Sequence, residues 1–164
     1  MSLENDAGIW TLTALTVQPR NWNETFSETP SGAIIFAVEN QKKSAILNGT
    51  TTTIGVSAFS EVTSVRYLAK AAGYSPSGST HPEFDSGVHD VAITKVLEAV
   101  TFHDTFSATP IVVTGYQGND EEFKGGKTSA ANITTTGCDV AGEIKNTVDL
   151  VNWFAIYTNG FWEG

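Results

Sequence analysis

Cysteine is almost missing: Cys138 is the only one in 164 residues. A disulfide framework within the chain is therefore excluded. Basic residues are scarce too. Lys and Arg number 9 against 18 Asp and Glu, a formal net charge of −9. They never cluster beyond the pair Lys42-Lys43. A surface this acidic repels phosphate backbones and anionic headgroups, which argues against nucleic-acid and membrane partners. No apolar run approaches the ~20 residues of a membrane-spanning helix. No signal peptide is read, and Met1-Ser2-Leu3 and Glu163-Gly164 look like expression-vector scars. Leu, Glu, Lys and Arg, which favour helices, are thinly used.

Thr, Val, Ile, Gly and aromatic residues are present instead, and they favour strands. Period-two patterning marks strands at residues 9–15, 21–26, 33–38, 52–57 and 65–71. Further along it marks 88–93, 100–106, 111–116, 131–135, 138–140 and 149–157. Turn residues separate them at Thr29-Pro30-Ser31-Gly32, Asn48-Gly49, Thr109-Pro110 and Gly125-Gly126. Residues 61–70 have some helical character, but the strand reading is preferred there.

The chain also repeats itself. Thr25-Phe26-Ser27-Glu28-Thr29-Pro30 returns as Thr105-Phe106-Ser107-Ala108-Thr109-Pro110, a shift of 106 − 26 = 80. Asp6-Ala7-Gly8-Ile9 is answered by Asp85-Ser86-Gly87-Val88, and Trp22 by Phe102. Asn48-Gly49-Thr50-Thr51-Thr52 is answered by Asn132-Ile133-Thr134-Thr135-Thr136 at a shift of 84. Val65 to Ala69 is answered by Val151 to Ala155 at a shift of 86. The order is kept and the shift grows only where a loop would lengthen, which is how a duplicated unit behaves. The expected fold is all-β: two tandem antiparallel β-sandwich units of about six strands each, related by internal duplication. The units span residues 4–74 and 84–162. A Ser/Pro/Gly-rich linker, 75–83, lies between them.

The closing strands differ. In the second unit Val151, Trp153, Ala155 and Tyr157 alternate with Asn152, Phe154 and Ile156. Both faces are apolar there, so the outer one is expected to be covered by another subunit or by the other unit.

Most catalytic chemistry is set aside. Gly125-Gly126-Lys127-Thr128 lacks the first glycine and the helix of a phosphate-binding loop. His81, Glu83, Asp85 and His89, with His103-Asp104 beyond, match no closed metal-site spacing and are taken as solvated linker residues. Asn119-Asp120-Glu121-Glu122 lacks the alternation of a calcium loop. No nucleophile sits in a recognisable setting, so the chain is not read as an enzyme, and no metal or cofactor is expected. Cys138 is read as a small buried apolar residue. Trp10, Trp22, Tyr116 and Trp162 are aromatics able to stack on a sugar ring. Trp22, Phe102 and Trp153 are assigned to the core, which leaves Tyr116, beside the acidic loop, as the best binding candidate.

Val100-Thr101-Phe102, Phe106, Thr109-Pro110-Ile111-Val112-Val113, Gly137 and Trp153-Phe154-Ala155-Ile156, opened by Ser86-Gly87-Val88, resemble the H-type lectin family. The first unit resembles it more weakly through Trp22, Phe26, Pro30, Ile34-Ile35-Phe36 and Tyr67. The resemblance implies a six-stranded antiparallel sandwich, trimeric assembly and recognition of cell-surface carbohydrate, often N-acetylgalactosamine. It also implies an extracellular, virion or cell-surface location, since similar modules occur in bacteriophage tail fibres. The arginine of the sugar-binding members corresponds most nearly to Lys127, with Lys43 in the first unit. Their Trp-His pair is replaced by Lys145-Asn146. The expected ligand-binding set is Tyr116, Asp120, Glu121, Lys127, Lys145 and Asn146. The alternative is a structural or trimerisation module without sugar binding.

Overall fold

The computed structural model describes residues 5–11, 18–21, 23, 25–27, 34–37, 44–49, 53–58, 64–70, 73–76, 82–92, 95–117, 127–142 and 150–158. Among them every regular element is a strand, and there is no helix. Six strands lie in the first half: β1 (Asn5–Thr11), β2 (Gln18–Asn21), β3 (Ile34–Ala37), β4 (Ser44–Gly49), β5 (Thr53–Ala58) and β6 (Ser64–Lys70). The second half carries β7 (Glu83–Asp90), β8 (Glu98–Thr101), β9 (Ile111–Gln117), β10 (Thr128–Ala131), β11 (Gly137–Gly142) and β12 (Leu150–Tyr157). The strand over residues 64–70 settles the segment with partial helical character.

The second half forms two antiparallel triplets, β7-β12-β9 and β8-β11-β10. The first half pairs in the same orders, β1-β6-β3 and β2-β5-β4. The registers correspond as well. Gly8 faces Tyr67 where Gly87 faces Trp153, and Asp6 faces Ala69 where Asp85 faces Ala155. Arg20 faces Ile54 where Val100 faces Cys138, and Ile46 faces Val56 where Ala130 faces Val140. One parallel pair, Ile46 with Gln117, joins β4 to β9 and so links the halves in a single six-stranded sheet.

The two triplets of the second half share one core. Side chains alternate across a strand, so Val151, Trp153 and Ala155 of β12 point to one face. There they meet Val100 of β8, Cys138 and Val140 of β11, and Phe102 and Phe106 from the loop after β8. The rings pack edge to face: Phe102 and Phe106 lie 5.3 Å apart at 73°, and Tyr74 and Phe106 lie 5.3 Å apart at 89°. Each such ring buried contributes about 1.5–3 kcal/mol relative to exposure. The other face of β12 is buried too. Asn152 is 0 % and Phe154 1 % exposed within the single chain. Phe84 stands edge-on to Phe154 at 5.6 Å, and β3 packs against β9 and β12. Of the two covers expected for this face, the chain itself supplies one.

Several boundaries differ from the sequence reading. The strand expected over 100–106 ends at Thr101: Phe102 N still bonds Thr136 O in register with β11 at 2.9 Å, but the chain then turns away, and Phe106 N bonds Thr135 O, out of that register, at 2.9 Å. The equivalent strand expected over 21–26 likewise ends at Asn21. Residues 132–136 form a turn rather than a strand, with Asn132 in the left-handed region at φ 49°. β4 lies where only a turn at Asn48-Gly49 was expected. The segment taken as a linker is pinned at both ends. Ser75 and Phe84 exchange backbone hydrogen bonds at 2.6 and 2.9 Å, and β7 begins at Glu83.

Gly87 lies flat under the indole of Trp153. A Cβ there would fall 2.6 Å from Trp153 Cζ2. Gly87→Ala is expected to cost about 1–3 kcal/mol by overpacking, read as a lowered urea midpoint with unchanged slope. Cys138 is buried, and burial followed by the neighbouring Asp139 charge pushes its thiol up to about 11. The native protein is expected to resist a disulfide-exchange reagent at neutral pH, with labelling appearing in step with unfolding.

Candidate functional site

Glu83 and Asp85 are two residues apart on β7 and therefore share a face. Both are buried, at 3 % and 0 % exposed. A buried carboxylate is costly unless hydrogen-bond donors surround it. The loop 102–107 provides them. Asp85 Oδ2 accepts the backbone N–H of His103 at 2.7 Å, and Asp85 Oδ1 accepts from His103 Nδ1 at 2.8 Å. Ser86 N adds a third bond to Oδ1 at 2.7 Å. Glu83 Oε2 accepts Ser107 N at 2.9 Å, and Oε1 accepts the Ser107 hydroxyl. The loop is thus held at both ends by side chains of an adjacent strand. The residues just before each anchor, Phe102 and Phe106, insert into the core.

Tyr74 completes the cluster. Its phenol bonds Glu83 and is pushed up to about 12, first by burial, then by the Glu83 charge and hydrogen bond, and then by Asp104 and Asp85. Three carboxylates therefore lie close enough to bear on one phenol.

His103 looks outward from this base. Its side chain is 48 % exposed, and its ring stacks on Trp153 with centroids 6.0 Å apart at 25°. Nδ1 is engaged by Asp85, and Nε2 makes no hydrogen bond to a described residue. Beside it, exposed Asp104 uses Oδ1 to accept Thr105 N at 2.7 Å. A buried carboxylate orienting an open imidazole is an arrangement found in acid–base sites. Two neighbouring carboxylates are the equipment of glycoside hydrolysis. Here all four carboxylate oxygens already accept protein donors, so Glu83 and Asp85 act as loop anchors.

Of the histidines and acids considered for a metal, the structure joins Asp85 to His103 and pairs His89 elsewhere. His89 Nε2 pairs with Glu98 Oε2 at 2.9 Å, which also accepts Ala92 N at 3.1 Å and closes the connection from β7 to β8. His81 lies outside the described residues. Glu83 and Asp85, expected as solvated linker residues, are buried, because β7 begins at Glu83. Among the described residues no group of three His, Cys, Asp or Glu is placed to hold a metal ion.

Of the expected ligand-binding set, Tyr116 is 8 % exposed on β9, which leaves at most an edge or its hydroxyl for a ligand. Lys127 is exposed immediately before β10. Asp120, Glu121, Lys145 and Asn146 lie outside the described residues. Sequence reasoning did not assign a binding role to His103 or Asp104. The repeated Asp-x-Gly step marks Asp85 as recurrent, but not its contact with His103, 18 residues away.

No protein-family profile matches the chain, and neither a curated protein nor a solved structure is significantly similar to it.

The Tyr74 phenol titrates at about 12 in the fold against an ordinary value of 10.0, so the fold favours its protonated form. This contribution is complete below the ordinary value and is lost as pH rises through it toward the folded one. An ultraviolet phenolate titration is expected to show one late tyrosine, absent in Tyr74→Phe. The alkaline loss of stability should shrink in the same variant.

Proposed function

We propose that the chain is a non-catalytic recognition module for carbohydrate, built from two H-type-lectin-like β-sandwich units that arose by duplication. The observation that carries this reading is the matched pairing of the two halves. Strand orders and registers correspond at the same sequence shifts as the repeated motifs. A second support is that Val100, Phe102, Phe106 and Trp153, which carry the family resemblance, meet in one core. Gly137, from the same set, lies so close to the Val100 carbonyl that a side chain would collide with it. The residues of the resemblance thus have a common physical reason to occur together.

Binding of this kind is shallow and polar, at loop ends on a rigid β framework. Single sites of this type are weak. Two units per chain, in a trimer, would raise avidity through effective concentration.

A glycan array probed with the purified protein, with its mass from light scattering, tests the reading. The expected result is binding to a restricted set of glycans by a trimer. A blank array with a trimeric mass favours the alternative, a structural or trimerisation module. A blank array with a monomeric mass overturns both. Phe154 does not argue for a trimer contact, since one chain already buries it.

A further inference from the structure

We infer that the sugar-binding centre is the tip of the loop after β8, where His103 Nε2 and the Asp104 carboxylate together accept hydrogen bonds from two neighbouring ligand hydroxyls. This rests on the carbohydrate reading above and moves its centre away from Tyr116 and Lys127.

The first reason is fixation. A weak ligand is bound best by groups that do not have to be ordered at the moment of binding. The Asp85 carboxylate, itself 0 % exposed, holds both the backbone N–H and the ring Nδ1 of His103, at 2.7 and 2.8 Å. Trp153, 3 % exposed, backs the ring as a flat support at 6.0 Å. Ring position and ring rotation are therefore both set from beneath. Ser107, bonded to Glu83, holds the far end of the same loop.

The second reason is chemistry. When the ring is neutral, the carboxylate acceptor at Nδ1 places the proton there and makes Nε2 an acceptor. Nε2 is on the exposed ring, whose side chain is 48 % accessible. Asp104 is exposed beside it. Its Oδ1 is oriented by Thr105 N at 2.7 Å, so the carboxylate is fixed with an oxygen to spare. Two fixed acceptors on adjacent residues suit a ligand that donates twice over a short span, as a vicinal diol does.

The third reason is what the tip disfavours. Asp104 is negative, Glu83 and Asp85 lie beneath, and the whole chain carries −9, so an anionic ligand is repelled. A metal ion needs further ligands, and among the described residues no group of three is placed to give them. A neutral polyol meets neither objection.

The test is the pair of nitrogen–proton correlation spectra of the full chain, one of its backbone amides and one of its imidazoles. The probes are methyl glycosides of galactose, glucose, mannose and fucose, and N-acetylgalactosamine, each at millimolar concentration. The expected result is a saturable shift of the His103 ring signals with at least one sugar. His103→Asn keeps a donor where Nδ1 stood and removes the Nε2 acceptor. Asp104→Asn keeps the acceptor for Thr105 N and replaces the other oxygen with a donor. Each is expected to weaken binding by about tenfold, the effect of one lost hydrogen bond, while the thermal midpoint stays within that of the parent. Saturable shifts confined to residues around Lys127 or Lys145, with both variants binding as the parent does, overturn this site and leave the carbohydrate reading standing. No shift anywhere with any probe, matched by a blank array, overturns both.

Discussion

The interaction on which the second half of this chain depends is the burial of Glu83 and Asp85 against the loop 102–107. Two carboxylates within one face of a strand would destabilise any core that left them unpaired. The loop supplies two backbone N–H groups, an imidazole and a hydroxyl, and it supplies them in a definite order. Each anchor residue directly follows a core aromatic: His103 after Phe102 and Ser107 after Phe106. Hydrogen bonding and apolar packing are therefore alternated along six residues. Neither set can shift without the other, because moving either ring inward or outward pulls an N–H from a buried charge. Removing one donor leaves a buried carboxylate oxygen unsatisfied, at a cost of about 1–3 kcal/mol, comparable to what one ring contributes.

The same constraint explains the short β8. Phe102 N makes the last bond in register with β11, to Thr136 O. His103 N then goes to the Asp85 side chain, and the chain leaves the sheet to close over the end of the core. The turn at 132–136 meets it from the other side, held by Thr134 through bonds between its N–H and hydroxyl and Gly137 O at 2.9 and 3.0 Å. Asn132, at φ 49°, gives the turn its left-handed step and bonds Asp139 at 2.7 Å. β12 lies between two buried faces, which is why its sequence is apolar on both and why polar Asn152 there is 0 % exposed.

Legibility in the sequence followed side-chain pattern. β6 alternates, β9, β11 and β12 are β-branched or apolar runs between turn residues, and all four were readable, as was the assignment of Phe102 and Trp153 to the core. What misled was local likeness at strand ends. Val100 to Phe106 continues to alternate after its backbone has left the ladder, because Phe102 and Phe106 still point inward from a loop. Side-chain period reports burial, and backbone pairing is a separate matter. The stretch 75–83 is rich in Ser, Pro and Gly, so composition hid the two bonds that clamp Ser75 to Phe84. Glu83 and Asp85 were unreadable as anchors for a different reason. Their partners lie 24 and 18 residues away, and nothing in a charge pattern announces a contact at that range.

The candidate site follows from the same asymmetry between fixed and open groups. A residue can serve recognition only if its backbone is held and its polar head is not consumed by the holding. Ser107 fails the second condition, since both its N–H and its hydroxyl go to Glu83. Tyr116 is buried, and Glu98 is engaged by His89 and Ala92 N. His103 meets both conditions because imidazole has two nitrogens on opposite sides of the ring: one is given to the buried carboxylate and the other points away from it. Any side chain with a single polar atom at this position would have to choose between anchoring the loop and meeting a ligand. That division of labour within one ring connects the buried charge of β7 to the exposed tip of the loop, and so connects the stability of this half to its proposed function.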